Sequence, residues 1–165
     1  MLKSKILPTI QIKDNFLNKQ ELNVILNNIN KISYSPMLNN EKDTFGFRYY
    51  FDKDSDNEWL FKKIKDQFFS NTDLKIRGAS YHLRHNNEKV LSHEDDNDYN
   101  FILYLKGKEL VYNGTGFYTK KKLHSYIGFV ENRALFFDGK NNTHTDLQAL
   151  GESSPRYSMN IFYDI

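Results

Sequence analysis

The sequence predicts a mainly β fold, a jelly-roll barrel of short strands backed by two helices. Three observations predict it. From Leu74 onward, short apolar stretches are separated by Gly, Asn and Asp, the turn chemistry of sandwiches and barrels. Before that point, two segments carry apolar residues at helical spacing. Aromatic residues make up 15% of the chain, with 13 Phe and 11 Tyr against one Trp, so large flat side chains dominate the expected core. A chain of 165 residues fits one domain, with helical support over about 14–70 and a barrel core over about 74–165.

The first helix is expected from about Asn18 to Ile29. Leu22, Val24, Ile25, Leu26 and Ile29 include an i, i+3, i+4, i+7 stripe, and Asn18 with Glu21 forms a capping-box pattern. The second follows Ser55, where Ser55 and Glu58 fit the same box, and Leu60, Ile64 and Phe68 line one face. Between them, "FGFRYYF" alternates as a strand. Further strands are expected over Leu74–Leu83, Lys89–Ser92, Asn100–Leu105, Lys108–Tyr112, Gly116–Lys120, Tyr126–Val130, Arg133–Phe137, His144–Leu147 and Arg156–Tyr163.

Composition excludes whole classes of chemistry. Without cysteine there are no disulfides, thiolate nucleophiles, iron–sulfur clusters or cysteine zinc sites, so any metal must sit on His, Asp or Glu. A net charge of only +2 gives no strong pull toward nucleic acid or anionic lipid, and the run Lys120-Lys121-Lys122 reads as a solvated face. The start "MLKSKILPTIQIKDN" lacks an uninterrupted apolar segment of signal-peptide length, and no later stretch approaches a membrane span. The expectation is a cytoplasmic protein.

The stretch "LSHEDDNDYN" crowds one histidine among four acids. A solvated loop explains such a cluster; a metal site explains it too. On an extended chain, side chains two apart share a side, so His93 and Asp95 can converge while Glu94 and Asp96 point away. That pair alone is a weak signal. His144, in "NNTHTD", is followed twelve residues later by Arg156, and a hairpin would bring both to one cavity. In the final strand Arg156, Ser158 and Asn160 share a face against Tyr157, Met159, Ile161 and Tyr163, and Asn100, Ile102 and Tyr104 alternate with Phe101, Leu103 and Leu105. Such a polar face is wasteful as packing but suits a binding cavity.

In their order, "SHEDD", "FILYL", "NRALFFDG", "THTD" and "RYSMNIFYD" resemble the iron(II)- and 2-oxoglutarate-dependent dioxygenases, in particular the prolyl-hydroxylase-like branch, over roughly Tyr81 to Tyr163. The resemblance implies a double-stranded β-helix, the cupin-like jelly roll. It implies His93, Asp95 and His144 as Fe(II) ligands, with Arg156 meeting the far carboxylate of 2-oxoglutarate, Tyr104 hydrogen-bonding the same group and Tyr81 contacting the cosubstrate. Asp96 and Asp98 are then either solvated loop or partners that orient His93 or the substrate. The implied reaction consumes O2, with ascorbate as a support, converts 2-oxoglutarate to succinate and CO2, and hydroxylates a C–H bond.

The implied partner is a peptide, with peptidyl proline favoured by the branch, or a small molecule such as a free amino acid. Nucleic-acid demethylases of the superfamily carry a second arginine six positions after the first; here that position is Phe162, which argues against nucleic acid. Ser33–Thr44 and Asn113–Ser125 are expected to border the entrance. Two other readings stay open: a non-catalytic jelly-roll binding module, and a metal-dependent isomerase of cupin type, a group that usually places more histidines on the first strand.

Overall fold

A computed structural model describes residues 10–38, 41–51, 57–85, 92–110, 113–146 and 155–165. Its strands are β1 (Ile10–Lys13), β2 (Ser35–Leu38), β3 (Thr44–Tyr50), β4 (Lys75–Arg84), β5 (Tyr99–Lys106), β6 (Thr115–Thr119), β7 (Lys122–Ile127), β8 (Ala134–Asp138), β9 (Thr143–Asp146) and β10 (Arg156–Asp164). The helices are α1 (Lys19–Ile29) and α2 (Glu58–Phe68). A seven-stranded antiparallel sheet, in the order β1-β8-β5-β10-β4-β3-β2, faces a three-stranded sheet, β7-β6-β9. This is the double-stranded β-helix, with both helices laid on the outer face of the larger sheet.

Period-two alternation divides the core. Phe101, Leu103 and Leu105 of β5, Ala134 and Phe136 of β8, and Met159, Ile161 and Tyr163 of β10 pack outward against Ile25 and Ile29 of α1 and Leu60, Ile64 and Phe68 of α2. The intervening residues Ile102, Tyr104, Leu135 and Phe137 face inward and meet Phe117 of the small sheet. The outer cluster is held by ring contacts, such as Phe68 with Phe101 at 5.7 Å and Phe69 with Tyr163 at 5.1 Å between centroids.

The capping box of α1 is present: Glu21 N–H donates to Asn18 Oδ1 at 2.9 Å, and Asn18 N–H donates to Glu21 Oε2 at 2.8 Å. The box expected at α2 rests on Ser55, which lies outside the described residues. Helix α2 starts at Glu58 behind Asn57, whose side chain makes no capping bond.

Several strand boundaries also differ. The strand expected over Tyr126–Val130 lies earlier, at Lys122–Ile127, because Lys120 and Lys121 both adopt positive φ (50° and 64°). Thr119 pairs with Lys122, so these two lysines form the tight turn of the β6–β7 hairpin. Lys108–Leu110 forms no strand, and residues 111–112 lie outside the described set, as do 89–91 of the strand expected at Lys89–Ser92. β1 and β2 were not expected; each has four residues at a sheet edge, and β2 holds Pro36, which a central strand would exclude. No helix of the described residues is long and apolar enough to cross a membrane.

Candidate metal centre

The loop before β5 carries the H-x-D pair. His93 forms a two-way backbone bridge with His144 of β9, N–H to carbonyl at 3.0 Å and 2.8 Å, so the ligand loop and the small sheet are locked together. Asp95 N–H donates to Gly139 carbonyl at 3.3 Å, and Gly139 N–H donates to Asp98 carbonyl at 3.0 Å. A side chain at Gly139 would place its Cβ 2.9 Å from the Asn97 carbonyl oxygen, so the "FFDG" turn closes on this loop only with glycine.

These constraints bring three donor groups together. One ligand atom from each of His93, Asp95 and His144 lies within 4.8 Å of the others. His144 Nε2 is 3.3 Å from Asp95 Oδ2, and His93 Nε2 is 3.7 Å from Asp95 Oδ1. His144 Nδ1 lies 2.9 Å from the Asn142 carbonyl, which can only accept, so Nδ1 carries a proton and the neutral ring presents a lone pair at Nε2. That lone pair faces a carboxylate oxygen. Two acceptors at this separation require a cation or a proton between them, and two imidazoles with one carboxylate form the facial donor set suited to Fe(II). The donor chemistry therefore fits the metal.

The acids around the pair behave as strand parity dictates. Glu94 Oε1 points away and accepts from Thr143 Oγ1 at 2.6 Å. Asp96 pairs with Arg77 at 2.7 Å, which holds its carboxyl below the usual range. Asp98 pairs with Lys140 at 2.6 Å and accepts from Ile165 N–H at 2.9 Å, with the same effect. Both acids clamp the loop, Asp96 to Arg77 of β4 and Asp98 to Lys140 and the Ile165 backbone.

A cavity of about 250 Å³ opens beside the three donors, with Asn100 and Ile102 of β5, Asn160 and Phe162 of β10, and His82 and Arg84 of β4 in its walls. Met37 and Phe45 also line it, so the segment around Ser33–Thr44 does border the cavity. No residue of Asn113–Ser125 lines it; that segment has another task. The carbonyls of Asn113 and Gly114 each accept from an Nη of Arg156 at 2.9 Å, and the guanidinium lies 5.7 Å from the centre of the Tyr104 ring. Tyr104 is fully buried and donates to Thr115 Oγ1 at 2.8 Å. Arg156 and Tyr104 thus sit side by side in the interior, outside the lining of this cavity. The expected hairpin of the His144 and Arg156 strands does not form, because β9 pairs with β6 in the small sheet and β10 with β4 and β5 in the large one.

Tyr81 is not brought to this interior. Its side chain lies on the outer face of β4, in the helix-covered cluster, stacked on Phe51 at 4.4 Å between centroids. The inward residues of β4 are its neighbours, so a one-position difference in parity moves the side chain to the opposite face of the sheet.

Comparison with solved structures decides the architecture. A prolyl hydroxylase from Trichoplax adhaerens, in complex with a hypoxia inducible factor oxygen degradation domain peptide fragment, superposes with a TM-score of 0.70 at 14% identity, covering 94% of this chain and 83% of that one. The chain has the fold of the 2-oxoglutarate and iron(II) oxygenases. A 2OG-Fe(II) oxygenase family oxidoreductase from Burkholderia pseudomallei matches with a TM-score of 0.71 at 10% identity, over 94% and 85% of the two chains. HygX from Streptomyces hygroscopicus, solved with nickel and 2-oxoglutarate bound, matches with a TM-score of 0.71 at 9% identity, over 94% and 82%. No protein-family model matches the sequence, and neither does any curated protein.

Within this oxygenase fold, the structure adds residues that sequence reasoning did not place. Asn100 Nδ2 donates to Asp95 Oδ2, and Asn97 Nδ2 in turn donates to Asn100 Oδ1, so a chain of two amides orients the carboxylate. The parity of β5 put Asn100 on the inward face, but only the folded loop shows which group it meets. Arg48, His82 and Arg84 also enter the cavity wall, and no local motif marked them.

Proposed function

We propose that this chain is a single-domain Fe(II)- and 2-oxoglutarate-dependent dioxygenase that hydroxylates a C–H bond and releases succinate and CO2. The observation that carries the reading is the convergence of His93, Asp95 and His144 on one point at the mouth of an oxygenase-type double-stranded β-helix. Bound iron(II) would supply the oxidising chemistry, with oxygen and 2-oxoglutarate as co-reactants. The protein's own residues hold and orient. Asn142 and Asn100 fix His144 and Asp95 in the ligating orientation. Arg156, held by two backbone carbonyls, would meet the far carboxylate of 2-oxoglutarate with its planar guanidinium, and Tyr104 supports it from the side. The apolar inner cluster of Phe117, Leu135 and Phe137 keeps bulk water from the reacting centre.

For the substrate, we propose a peptide, with peptidyl proline as the leading candidate, or a small molecule such as a free amino acid. The Trichoplax neighbour carries a peptide and HygX has been solved with hygromycin B, so the fold accommodates both kinds. The cavity, about 250 Å³ among the described residues, accommodates one residue's side chain or one small metabolite beside the three donors. Phe162 lines the wall at the position where nucleic-acid demethylases carry a second arginine, which disfavours nucleic acid. The test is succinate formation by anaerobically purified protein given Fe(II), ascorbate, oxygen and 2-oxoglutarate, in wild type and in Asp95→Ala and Arg156→Ala. Turnover lost in both variants supports the reading. Absence of succinate in wild type, with proline-containing peptides and cell extract also supplied, would favour a non-catalytic binding module.

A further inference from the structure

The cavity wall opposite the metal ligands is basic. Arg48 of β3 and His82 and Arg84 of β4 line it, and among the described lining residues Asp95, a proposed ligand, is the one acid. Strand register explains how they gather: Arg48 pairs with His82, and Arg84 pairs directly with Arg156 across β4 and β10. Cross-strand partners share a face, and like charges placed opposite one another are unfavourable.

The two arginines of that pair diverge. Arg156 turns toward β5 and β6, where it meets Asn113, Gly114 and the Tyr104 ring. Arg84 turns the other way, over β3, and donates to the Phe45 carbonyl. Its stem occupies the space above Gly46, where a Cβ would lie 2.6 Å from Arg84 Cδ and 2.8 Å from Met37 Cε. Gly46 also has φ of +136°, a region that L side chains rarely adopt. A glycine in mid-strand normally weakens a sheet; here it seats a buried arginine.

Arg48 stands beside this seat. Its Nη donates to Tyr50 Oη at 2.7 Å, whereas its Nε is buried without a hydrogen-bond partner among the described residues. Arg48 on β3 lies two strands from β10, roughly 10 Å across the sheet at ordinary strand spacing, and Arg84, although it pairs with Arg156, directs its guanidinium away over β3.

We propose that Arg48 and Arg84, with His82 between them, bind an oxyanion on the prime substrate, a carboxylate or a phosphate, and so hold it beside the metal centre. The inference rests on the dioxygenase reading, in which Arg156 serves the cosubstrate. Guanidinium groups match either oxyanion through paired N–H donors. The prime substrate is thus an acid: a free amino or imino acid, a phosphorylated metabolite, or a peptide that presents a carboxylate next to the oxidised residue.

Matched probes test this by ligand-observed NMR: N-acetylproline against N-acetylprolinamide, and glycerol 3-phosphate against glycerol. Each is titrated into metal-free protein, and then into protein holding Zn(II) and saturating 2-oxoglutarate. At least one anionic probe is expected to bind about ten-fold or more tightly than its neutral partner, in both states. Arg48→Gln should reduce that preference to about three-fold or less, and Arg48→Lys should restore part of it. Equal affinity within both pairs, no binding by either anion, or a preference unchanged in Arg48→Gln would overturn the proposal. Displacement of the anion by 2-oxoglutarate would overturn it too, because these arginines would then serve the cosubstrate. If charge selection holds but the protein takes up neither Zn(II) nor 2-oxoglutarate, the dioxygenase reading fails and the anion site stands.

Discussion

His144 Nε2 and Asp95 Oδ2 face each other across 3.3 Å, a gap that a shared proton or a cation must bridge. A shared proton bridges this gap in the metal-free protein, and shared coordination replaces it once a cation enters. Divalent metal should therefore stabilise the fold. At a free metal concentration of about 100 times Kd the gain is roughly 2.7 kcal/mol, or about 5 to 10 °C in Tm for a chain of this size. Thermal melts with and without Zn(II) check it, and Asp95→Ala should abolish the shift.

Asn100 should matter through Asp95 rather than through the substrate. Its amide donates to Asp95 Oδ2 and is itself oriented by Asn97. Asn100→Ala is expected to weaken metal affinity roughly 10- to 100-fold. Saturating metal should restore most of the succinate yield, which separates this positioning role from loss of a ligand.

Arg156→Ala removes the proposed planar partner of the cosubstrate carboxylate. The expected cost is about 2 to 5 kcal/mol, a weakening of 2-oxoglutarate by roughly 30-fold to several thousand-fold. Tyr81→Phe should leave that affinity unchanged, since Tyr81 packs on Phe51 beneath the helices. Calorimetric titration of both variants distinguishes the two positions.

Asn132 links the segment before α1 to the barrel. Its side chain accepts from Leu17 N–H at 2.8 Å and donates to the Leu17 carbonyl at 2.7 Å, both in buried surroundings, from a backbone with φ of 64°. Asn132→Ala strands both groups and places alanine in the left-handed region, at an expected cost of about 2 to 5 kcal/mol. Chemical denaturation measures it.

Acid should destabilise the scaffold through its paired carboxylates. The Arg133 guanidinium hydrogen-bonds Asp14 and holds its carboxyl low. Burial pushes Glu21 up, but Lys63 and the Asn18 backbone outweigh it, so its carboxyl is also held below the usual range. A depressed folded-state value gives stability that is present above the unfolded value and lost as pH falls through the folded one, here below about pH 4. Melts of metal-free protein from neutral pH to pH 3 should fall less steeply for the Asp14→Asn, Glu21→Gln double variant than for wild type.

Much of this architecture is legible in the sequence because it depends on period. The alternation in "NFILYL" and "RYSMNIFY" already divides inward from outward residues, and the spacing of His93 and Asp95 already puts both on one side. What escapes is long-range. The turn at Lys120-Lys121 lacks the glycine or asparagine that normally announces positive φ, so β7 could not be bounded locally. Tyr81 and His82 are adjacent in sequence, and nothing short of the β4–β10 register shows that His82 and not Tyr81 meets the cavity. Arg48 and Arg84 come together only through β3–β4 pairing, and the role of Gly46 appears only once Arg84 crosses above it.

The central claim is that His93, Asp95 and His144 hold a metal that in turn holds 2-oxoglutarate. Its most direct test is an anaerobic titration of 2-oxoglutarate into the protein with and without Fe(II), repeated in Asp95→Ala. The expected result is tight binding only when iron is present, lost in the variant. Binding that is indifferent to iron, or iron-dependent binding that survives Asp95→Ala, would contradict the account.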